Sequence, residues 1–170
     1  MSKHIFLLGF MGSGKSFWGA KLAAQQGVPL VDLDRWIEEK EGQTIAELFA
    51  GSGETGFRAL EQQYLHGLAG LPPAVISLGG GTPCFFDNMA WINQHGHSVY
   101  LEVPLDILLE RLRRKPTRRP LLAQLPPEEW PAFLEKMLAK RRPFYRQAHQ
   151  TIAYTGDEEA FFAQLCAAAE

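Results

Sequence analysis

Residues 5–16 read Ile5-Phe6-Leu7-Leu8-Gly9-Phe10-Met11-Gly12-Ser13-Gly14-Lys15-Ser16. The first four residues form a short apolar run, which is typical of a strand buried on both faces. The next eight residues match the pattern G-x-x-x-x-G-K-[ST] in full, and a helix-like segment, Phe17 to Gln26, follows them. The pattern therefore predicts a phosphate-binding loop between a buried strand and a helix.

Each residue type in this loop has a chemical use. Glycines let the backbone curl so that N–H groups point at phosphate oxygens, and the helix start adds its positive dipole end. Lys15 is expected to reach the β- and γ-phosphates of ATP, and the Ser16 hydroxyl can ligate Mg²⁺. The predicted ATP contacts here are Gly12, Ser13, Gly14, Lys15, Ser16 and Phe17. The bulky side chains of Phe17 and Trp18 are predicted to pack against the protein.

Other apolar runs alternate with helix-like segments along the chain. The further strand-like runs are Val28 to Leu33, Ala74 to Leu78, Ser98 to Leu101 and Thr151 to Tyr154. The further helix-like segments are Thr44 to Phe49, Glu54 to Leu68, Asn88 to Gln94, Leu105 to Arg114, Glu128 to Arg142 and Glu158 to Ala168. This alternation predicts an α/β fold with a central five-stranded parallel sheet and helices on both faces. Ligands bind beyond the carboxyl ends of the strands in such sheets.

Composition limits the class of protein. With 170 residues and no linker, residues 1–170 are expected to form a single domain. The formal charge of −2 provides no global field for nucleic acid or an anionic membrane. Apolar runs such as Ile5 to Leu8 are too short to span a bilayer. The two cysteines, Cys84 and Cys166, are not spaced as metal ligands, which favours a reduced, cytoplasmic setting.

The loop alone does not identify the kind of nucleotide protein. A GTPase switch normally carries an Asn-Lys-x-Asp motif, but neither Asn88 nor Asn93 precedes a lysine. No long second domain exists for a motor or transporter ATPase. The remaining class is a compact phosphotransferase with a separate set of residues for its second substrate.

Two carboxylates, Asp32 and Asp34, end the second strand-like run. Period-two geometry predicts that both point to one face of the sheet, beside the phosphate loop. One is suited to hold Mg²⁺ through water, and the other to orient and deprotonate an acceptor hydroxyl. The alternative is that Asp34 only caps a helix that begins near Arg35-Trp36.

Three further groups have both a functional and a structural interpretation. Gly79-Gly80-Gly81 after the third run allows a ligand close to the backbone, or is a flexible turn. Arg58 and Glu61 are one helical turn apart, so Glu61 either orients Arg58 as a carboxylate clamp or forms a surface pair. Arg141 and its neighbours close a helix, where cations also complement the dipole.

The segment from Arg111 to Arg119 contains six cationic residues. A nucleic-acid patch lacks support because no aromatic residues are interleaved with them. A mobile lid that brings arginine onto the transferred phosphate fits better, since phosphoryl transfer requires charge neutralisation and exclusion of water.

In chain order, these motifs resemble those of the shikimate kinase family. They are Gly9 to Ser16 with Gly19, Val31-Asp32-Leu33-Asp34, Gly53-Glu54-x-x-Phe57-Arg58-x-x-Glu61, Gly79-Gly80-Gly81, Arg119-Pro120-Leu121-Leu122 and Arg141-x-Pro143-x-Tyr145. They span residues 5–145. The loop is shared with many kinases, whereas the aspartate pair, the Phe-Arg-x-x-Glu helix and the triple glycine together are more particular.

The resemblance implies the nucleoside-monophosphate-kinase-like fold of P-loop NTPases. It also implies transfer of the γ-phosphate of ATP, with Mg²⁺, to the 3-hydroxyl of shikimate, a step toward chorismate and the aromatic amino acids. The implied segments are substrate-binding helices at about 34–62 and a lid at about 112–124. The family suggests a monomer that acts on small molecules, with no nucleic-acid or membrane partner.

The resemblance also implies roles for individual residues. The implied catalytic residues are Lys15, Asp34 and Arg119. The implied shikimate contacts are Asp34, Phe49, Phe57, Arg58, Gly79, Gly80, Gly81 and Arg141. Ser16 would ligate Mg²⁺ directly and Asp32 through water, while Arg113 and Arg119 would contact ATP. The arginine that stacks on adenine is either Arg113 or Arg114, and spacing to Tyr145 favours Arg141 over Arg142 for the clamp.

Two alternative functions stay open at this point. One is another small P-loop kinase that acts on gluconate or a nucleotide, although no clear set of residues for reading a base is present. The other is a non-catalytic ATP-binding homologue, which the presence of Lys15, Ser16, Asp34 and Arg119 disfavours.

Overall fold

The computed structural model describes residues 3–114, 122 and 125–169. Its strands are β1 (His4–Leu8), β2 (Leu30–Asp32), β3 (Val75–Ser77), β4 (Gly96–Glu102) and β5 (Gln150–Ala153). Its helices are α1 (Lys15–Gln26), α2 (Leu33–Glu41), α3 (Ile45–Gly67), α4 (Asn88–His95), α5 (Leu105–Arg114), α6 (Trp130–Tyr145) and α7 (Glu158–Ala168). Single 3₁₀ turns lie at Leu68–Gly70, Thr82–Cys84 and Pro127–Glu129.

The strands form one sheet in the order β2-β3-β1-β4-β5, and every neighbouring pair is parallel. All five residues of the central strand β1 are buried, as the apolar run Ile5 to Leu8 predicts for four of them. The predicted five-stranded parallel sheet is therefore confirmed.

Helices cover both faces of the sheet, which confirms the three-layer prediction. The Phe6 ring of β1 meets the Trp91 ring of α4, with 6.1 Å between their centroids. The next residue, Leu7, faces α1, where a Cβ atom added to Gly19 would lie 3.2 Å from Leu7 Cδ1. Because successive strand residues point to opposite faces, α4 and α1 lie on opposite sides of β1.

The second strand is shorter than the sequence predicts, and this changes the geometry of the aspartate pair. The strand ends at Asp32, whose side chain accepts a hydrogen bond from Arg35 N at 3.4 Å and caps α2. Asp34 therefore lies in the first turn of α2, so the prediction of two strand residues on one face was wrong. The alternative, in which Asp34 caps the helix, was also wrong, because the capping residue is Asp32.

Helix α3 joins two segments that the sequence separates. A capping box forms at its start, where Thr44 N donates to Glu47 Oε2 at 2.7 Å and Glu47 N donates to Thr44 Oγ1 at 3.2 Å. Gly53 interrupts the helix with φ 68° and ψ 179°, so the chain bends between the two predicted segments. Within the described residues, no helix combines the length and apolar character needed to cross a membrane.

Candidate active site

A cavity of about 840 Å³ lies beyond the carboxyl ends of β1, β2 and β3. Most of the residues that the sequence singles out line it: Gly12, Gly14, Lys15, Ser16, Phe17, Asp32, Asp34, Phe49, Phe57, Arg58, Gly79, Gly80, Gly81 and Arg141. Two do not, Ser13 and Arg113. Arg119 and most of the predicted lid at 112–124 lie outside the described residues.

The phosphate loop has the curled backbone that its glycines permit. Gly12 and Gly14 adopt φ values of 82° and 89°, a region that favours glycine. Lys15 Nζ donates to the carbonyl oxygens of Gly9 at 2.8 Å and Phe10 at 3.1 Å, so the ammonium group is held against the loop. Ser13 is buried, and its N–H donates to Phe10 O at 3.1 Å. Ser13 therefore stabilises the turn of the loop through its backbone, and its buried side chain does not line the cavity.

The two bulky residues after the loop behave differently. Trp18 is buried and packs on Phe161 and Phe162 of α7, with centroid distances of 5.2 and 6.0 Å, as predicted. Phe17 lines the cavity with 53% of its side chain exposed, so the prediction that it packs against the protein was wrong. Adjacent helix positions differ by about 100°, and only one of the two can face the sheet.

An arginine that the sequence analysis treated only as part of a cationic run supports the loop. Arg111 Nη1 donates to Gly12 O at 3.1 Å and Ser13 O at 3.4 Å, and its guanidinium lies 4.8 Å from the Tyr154 ring centroid. These contacts connect α5 to the loop and to the end of β5. Nothing in the local sequence distinguishes Arg111 from its cationic neighbours. Of those neighbours, Arg114 lines the cavity and Arg113 is exposed away from it.

Three oxygen-bearing side chains meet where the loop faces β2 and β3. Ser16 Oγ donates to Asp32 Oδ2 at 2.5 Å, and Ser77 Oγ lies 3.3 Å from Ser16 Oγ. The sequence analysis missed Ser77, although a polar residue within a buried apolar run is a recognisable signal. Hydroxyl and carboxylate oxygens suit Mg²⁺, which usually binds one or two protein groups together with phosphate oxygens and water. The residues present therefore fit Mg²⁺ bound with ATP.

Asp34 projects from the first turn of α2 into the cavity. Burial, followed by the negative charges of Glu61 and Asp32, raises the pKa of its carboxyl from 3.8 to about 6, against the opposing effect of Lys15 and Arg58. A Cβ atom added to Gly79 would lie 2.9 Å from Asp34 Oδ1, so glycine leaves room for this carboxylate. A carboxyl group with this pKa can accept a proton near neutral pH.

Arg58 also lines the cavity. It is buried, and its Nη1 donates to Glu61 Oε1 at 2.9 Å. Glu61 Oε2 accepts from Thr82 Oγ1 at 2.7 Å, so both carboxylate oxygens are satisfied. The pair is therefore a buried support for the guanidinium, and the surface-pair alternative is wrong. The sequence analysis missed Thr82, because it lies 21 residues away along the chain.

Aromatic rings and glycine shape the space around Arg58. The rings of Phe49 and Phe57 stack with centroids 4.3 Å apart, and the guanidinium lies 5.3 Å from the Phe57 ring centroid. The Phe85 ring lies closer, at 4.3 Å. A Cβ atom on Gly81 would lie 2.7 Å from Arg58 Cζ, so only glycine allows the guanidinium to take this position.

The second predicted clamp residue is Arg141, near the end of α6. Arg141 lines the cavity, and its guanidinium lies 5.7 Å from the Phe10 ring centroid. Arg142 instead points toward Glu102, with 4.0 Å between Nε and Oε1. Tyr145 donates from its hydroxyl to Gly80 O at 2.5 Å and so connects α6 to the triple glycine. The helical phase therefore places Arg141 on the cavity and Arg142 away from it.

Known proteins resemble this chain both in sequence and in structure. Residues 11–169 match the family model described as shikimate kinase. The curated shikimate kinase of Bacteroides thetaiotaomicron is 46% identical over 145 residues, which cover 85% of this chain and 83% of that protein. The crystal structure of a shikimate kinase from the same species superimposes with a TM-score of 0.90 at 42% identity, covering 96% of each chain. A shikimate kinase from Acinetobacter baumannii, solved in complex with shikimate, gives a TM-score of 0.86 at 36% identity, over 96% of this chain and 89% of the other. The chain belongs to the shikimate kinase family.

Proposed function

We propose that this protein transfers the γ-phosphoryl group of ATP to the 3-hydroxyl of shikimate, giving shikimate 3-phosphate and ADP, in the route to chorismate and the aromatic amino acids. The observation that carries the proposal is a single cavity lined by the phosphate loop, the Asp34 carboxyl and the guanidinium groups of Arg58 and Arg141. The phosphate loop can bind the phosphate chain of a nucleotide. Asp34 and the two guanidinium groups can bind a small hydroxylated carboxylate.

The acceptor is held by its carboxylate and presented by its hydroxyl. Arg58 and Arg141 bind the carboxylate through charge-assisted hydrogen bonds, each contributing about 1.5–3 kcal/mol. Glu61 and Thr82 hold the Arg58 side chain in place, so little conformational entropy of that side chain is lost when the acceptor binds. Phe49 and Phe57 form the apolar wall beside the ring, and Gly79 to Gly81 allow close approach to the backbone.

Asp34 takes the proton of the acceptor hydroxyl as that oxygen bonds to the γ-phosphorus and the bond to the β,γ-bridging oxygen of ATP breaks. Negative charge spreads over the transferred group, and Lys15 with Arg119 stabilises it. Gly12, Gly14, Ser16 and the backbone of Ser13 and Phe17 bind the phosphates, and Arg113 or Arg114 stacks on the adenine. Arg114 lines the cavity, which supports Arg114 as the residue that stacks on adenine.

Ser16 and Asp32 are the residues that would hold Mg²⁺, Ser16 directly and Asp32 through water. Bound there, the ion neutralises charge on the β- and γ-phosphates. We further propose a single-domain monomer that works in the cytoplasm with its lid at 112–124. Support for the single domain comes from the one family model that spans residues 11–169, and support for the cytoplasm comes from the two free cysteines.

The test is an ADP-release assay with shikimate, gluconate and nucleoside monophosphates offered separately. We expect turnover with shikimate alone, dependent on Mg²⁺, and a phosphomonoester on the 3-oxygen of the product by ³¹P–¹H NMR. Turnover that does not depend on shikimate, or that prefers gluconate or a nucleotide, contradicts the proposal. Nucleotide binding without turnover on any acceptor would instead indicate a non-catalytic homologue.

A further inference from the structure

A second cavity, of about 510 Å³, lies on the outer side of α6 and falls in the usual size range of ligand pockets. One face of α6 lines it at helical spacing, with Phe133, Lys136, Met137, Lys140, Arg141 and Phe144. The opposite wall consists of Cys84 and Phe85, which follow the triple glycine, and of Glu54 beside the bend in α3. We call this cavity the α6 groove.

The floor of the α6 groove is apolar. Phe85, Phe133, Met137 and Phe144 supply aromatic and thioether surface, and all are only partly buried. Burial raises the pKa of the Cys84 thiol to about 11, so this side chain is a neutral part of the floor near neutral pH. Flat aromatic surfaces and a polarizable sulfur favour contact with a planar ring.

The rim of the α6 groove is cationic. Lys136 and Lys140 are exposed, and Arg141 borders the groove from the active-site side. Among the described residues that line the groove, the one acid is Glu54, whose Oε1 lies 3.7 Å from Arg58 Nε. An anion at the rim therefore meets three positive groups and one negative group.

We propose that the α6 groove binds a small aromatic monocarboxylate, with its ring on the Phe133 and Met137 surface and its carboxylate between Lys140 and Arg141. Charge complementarity selects an anion, and the apolar floor selects a ring over an aliphatic sugar acid. The charged head stays near solvent, so binding does not require a buried, unpaired carboxylate.

This groove borders the active site. Arg141 lines both cavities, and Phe85 lines the groove while its ring lies 4.3 Å from the Arg58 guanidinium. A ligand in the groove therefore contacts two groups that shape the acceptor wall. Binding itself does not depend on the roles proposed for those arginines, so a direct binding measurement tests the groove separately from the proposed function.

The experiment titrates the whole protein with 2-naphthoate by isothermal calorimetry, using naphthalene-2-methanol as the uncharged analogue. We expect a dissociation constant of about 1 mM for the carboxylate, as a ligand of this size gives at ordinary efficiency, and binding about tenfold weaker for the alcohol. Lys140→Glu should weaken naphthoate about tenfold. Lys3→Glu makes the same charge change just before β1, at the amino-terminal end of the central strand, and should leave naphthoate binding unchanged.

Saturating ADP and shikimate provide the control for location, because they fill the larger cavity. We expect the affinity for naphthoate in the presence of ADP and shikimate to stay within about threefold of that of the free enzyme. Of the cations at the groove rim, only Arg141 also lines the active site. Complete loss of binding under these conditions would place naphthoate in the active site and overturn the proposal. Equal affinity for the acid and the alcohol, or no effect of Lys140→Glu, would also overturn it. If sedimentation velocity shows a dimer that Lys140→Glu dissociates, the groove is an interface between two copies and the proposal is wrong.

Discussion

Replacing Arg58 with methionine removes the buried guanidinium while keeping an unbranched side chain of similar length. Two separate losses follow. The substrate carboxylate loses charge-assisted hydrogen bonds of about 1.5–3 kcal/mol, which corresponds to a decrease of about 10- to 150-fold in kcat/KM for shikimate. Glu61, which is 1% exposed and accepts from Arg58 at 2.9 Å, is left without its cation, at a cost of about 3–5 kcal/mol in stability.

The double variant Arg58→Met/Glu61→Gln separates these two losses. Glutamine keeps an oxygen that can accept from Thr82, and it leaves no buried charge. We therefore expect the double variant to recover most of the lost free energy of unfolding and none of the lost shikimate affinity.

The assay is ADP release against shikimate concentration, with ATP binding measured separately and urea unfolding for each variant. ATP affinity should stay within about twofold of wild type, because Arg58 lies on the wall away from the phosphate loop. Recovery of a normal shikimate KM in the double variant would refute the clamp and leave Arg58 a purely structural residue.

The remaining predictions concern the base, the helical phase of α6 and the support of the loop. Asp34→Asn should lower kcat about 10²- to 10⁴-fold with shikimate binding retained by calorimetry. The pKa of Asp34 in the folded protein is raised to about 6, so ionisation of Asp34 opposes folding above that pH. The melting temperature of Asp34→Asn should therefore exceed that of wild type at pH 7.5. This difference in melting temperature should shrink as the pH falls toward 4. A wild-type kcat/KM that does not decline below pH 6 would contradict the assignment of the base. Arg141→Ala should raise the shikimate KM at least about tenfold, whereas Arg142→Ala, which faces Glu102, should not; equal effects would refute the assigned helical phase. Arg111→Met should raise the KM for ATP about three- to tenfold with the shikimate KM unchanged, since the guanidinium holds two loop carbonyls; an unchanged ATP KM would show that the loop keeps its shape without it.

The phosphate loop and the parallel sheet could be predicted because their causes are local. Glycine spacing permits the curled backbone of residues 9–14, and the apolar run at Ile5 to Leu8 requires burial on both faces. Alternation of such runs with helical segments then leaves few topologies open. Asp32, Asp34 and the triple glycine were predicted from their positions just beyond the strands, whereas Arg58 and Arg141, which lie on helices, were predicted from the family resemblance.

The aspartate pair shows where local pattern was insufficient. Alternation predicted that Asp32 and Asp34 share a strand face, but the Asp32 side chain accepts from Arg35 N and begins a helix between them. Competition between a strand and a capped helix depends on how α2 packs, and the spacing of two residues does not contain that information.

Two contacts between distant parts of the chain had no sequence signal. Thr82 completes the hydrogen bonding of Glu61, and Arg111 of α5 holds the carbonyls of Gly12 and Ser13, 99 and 98 residues away. The amino-acid sequence was sufficient for the loop, the sheet and the identity of most cavity residues, because backbone sterics and burial act over a few neighbouring positions. Which cation supports the loop and whether the pKa of Asp34 is raised depend on the packing of separate elements, because hydrogen bonds and burial act through space.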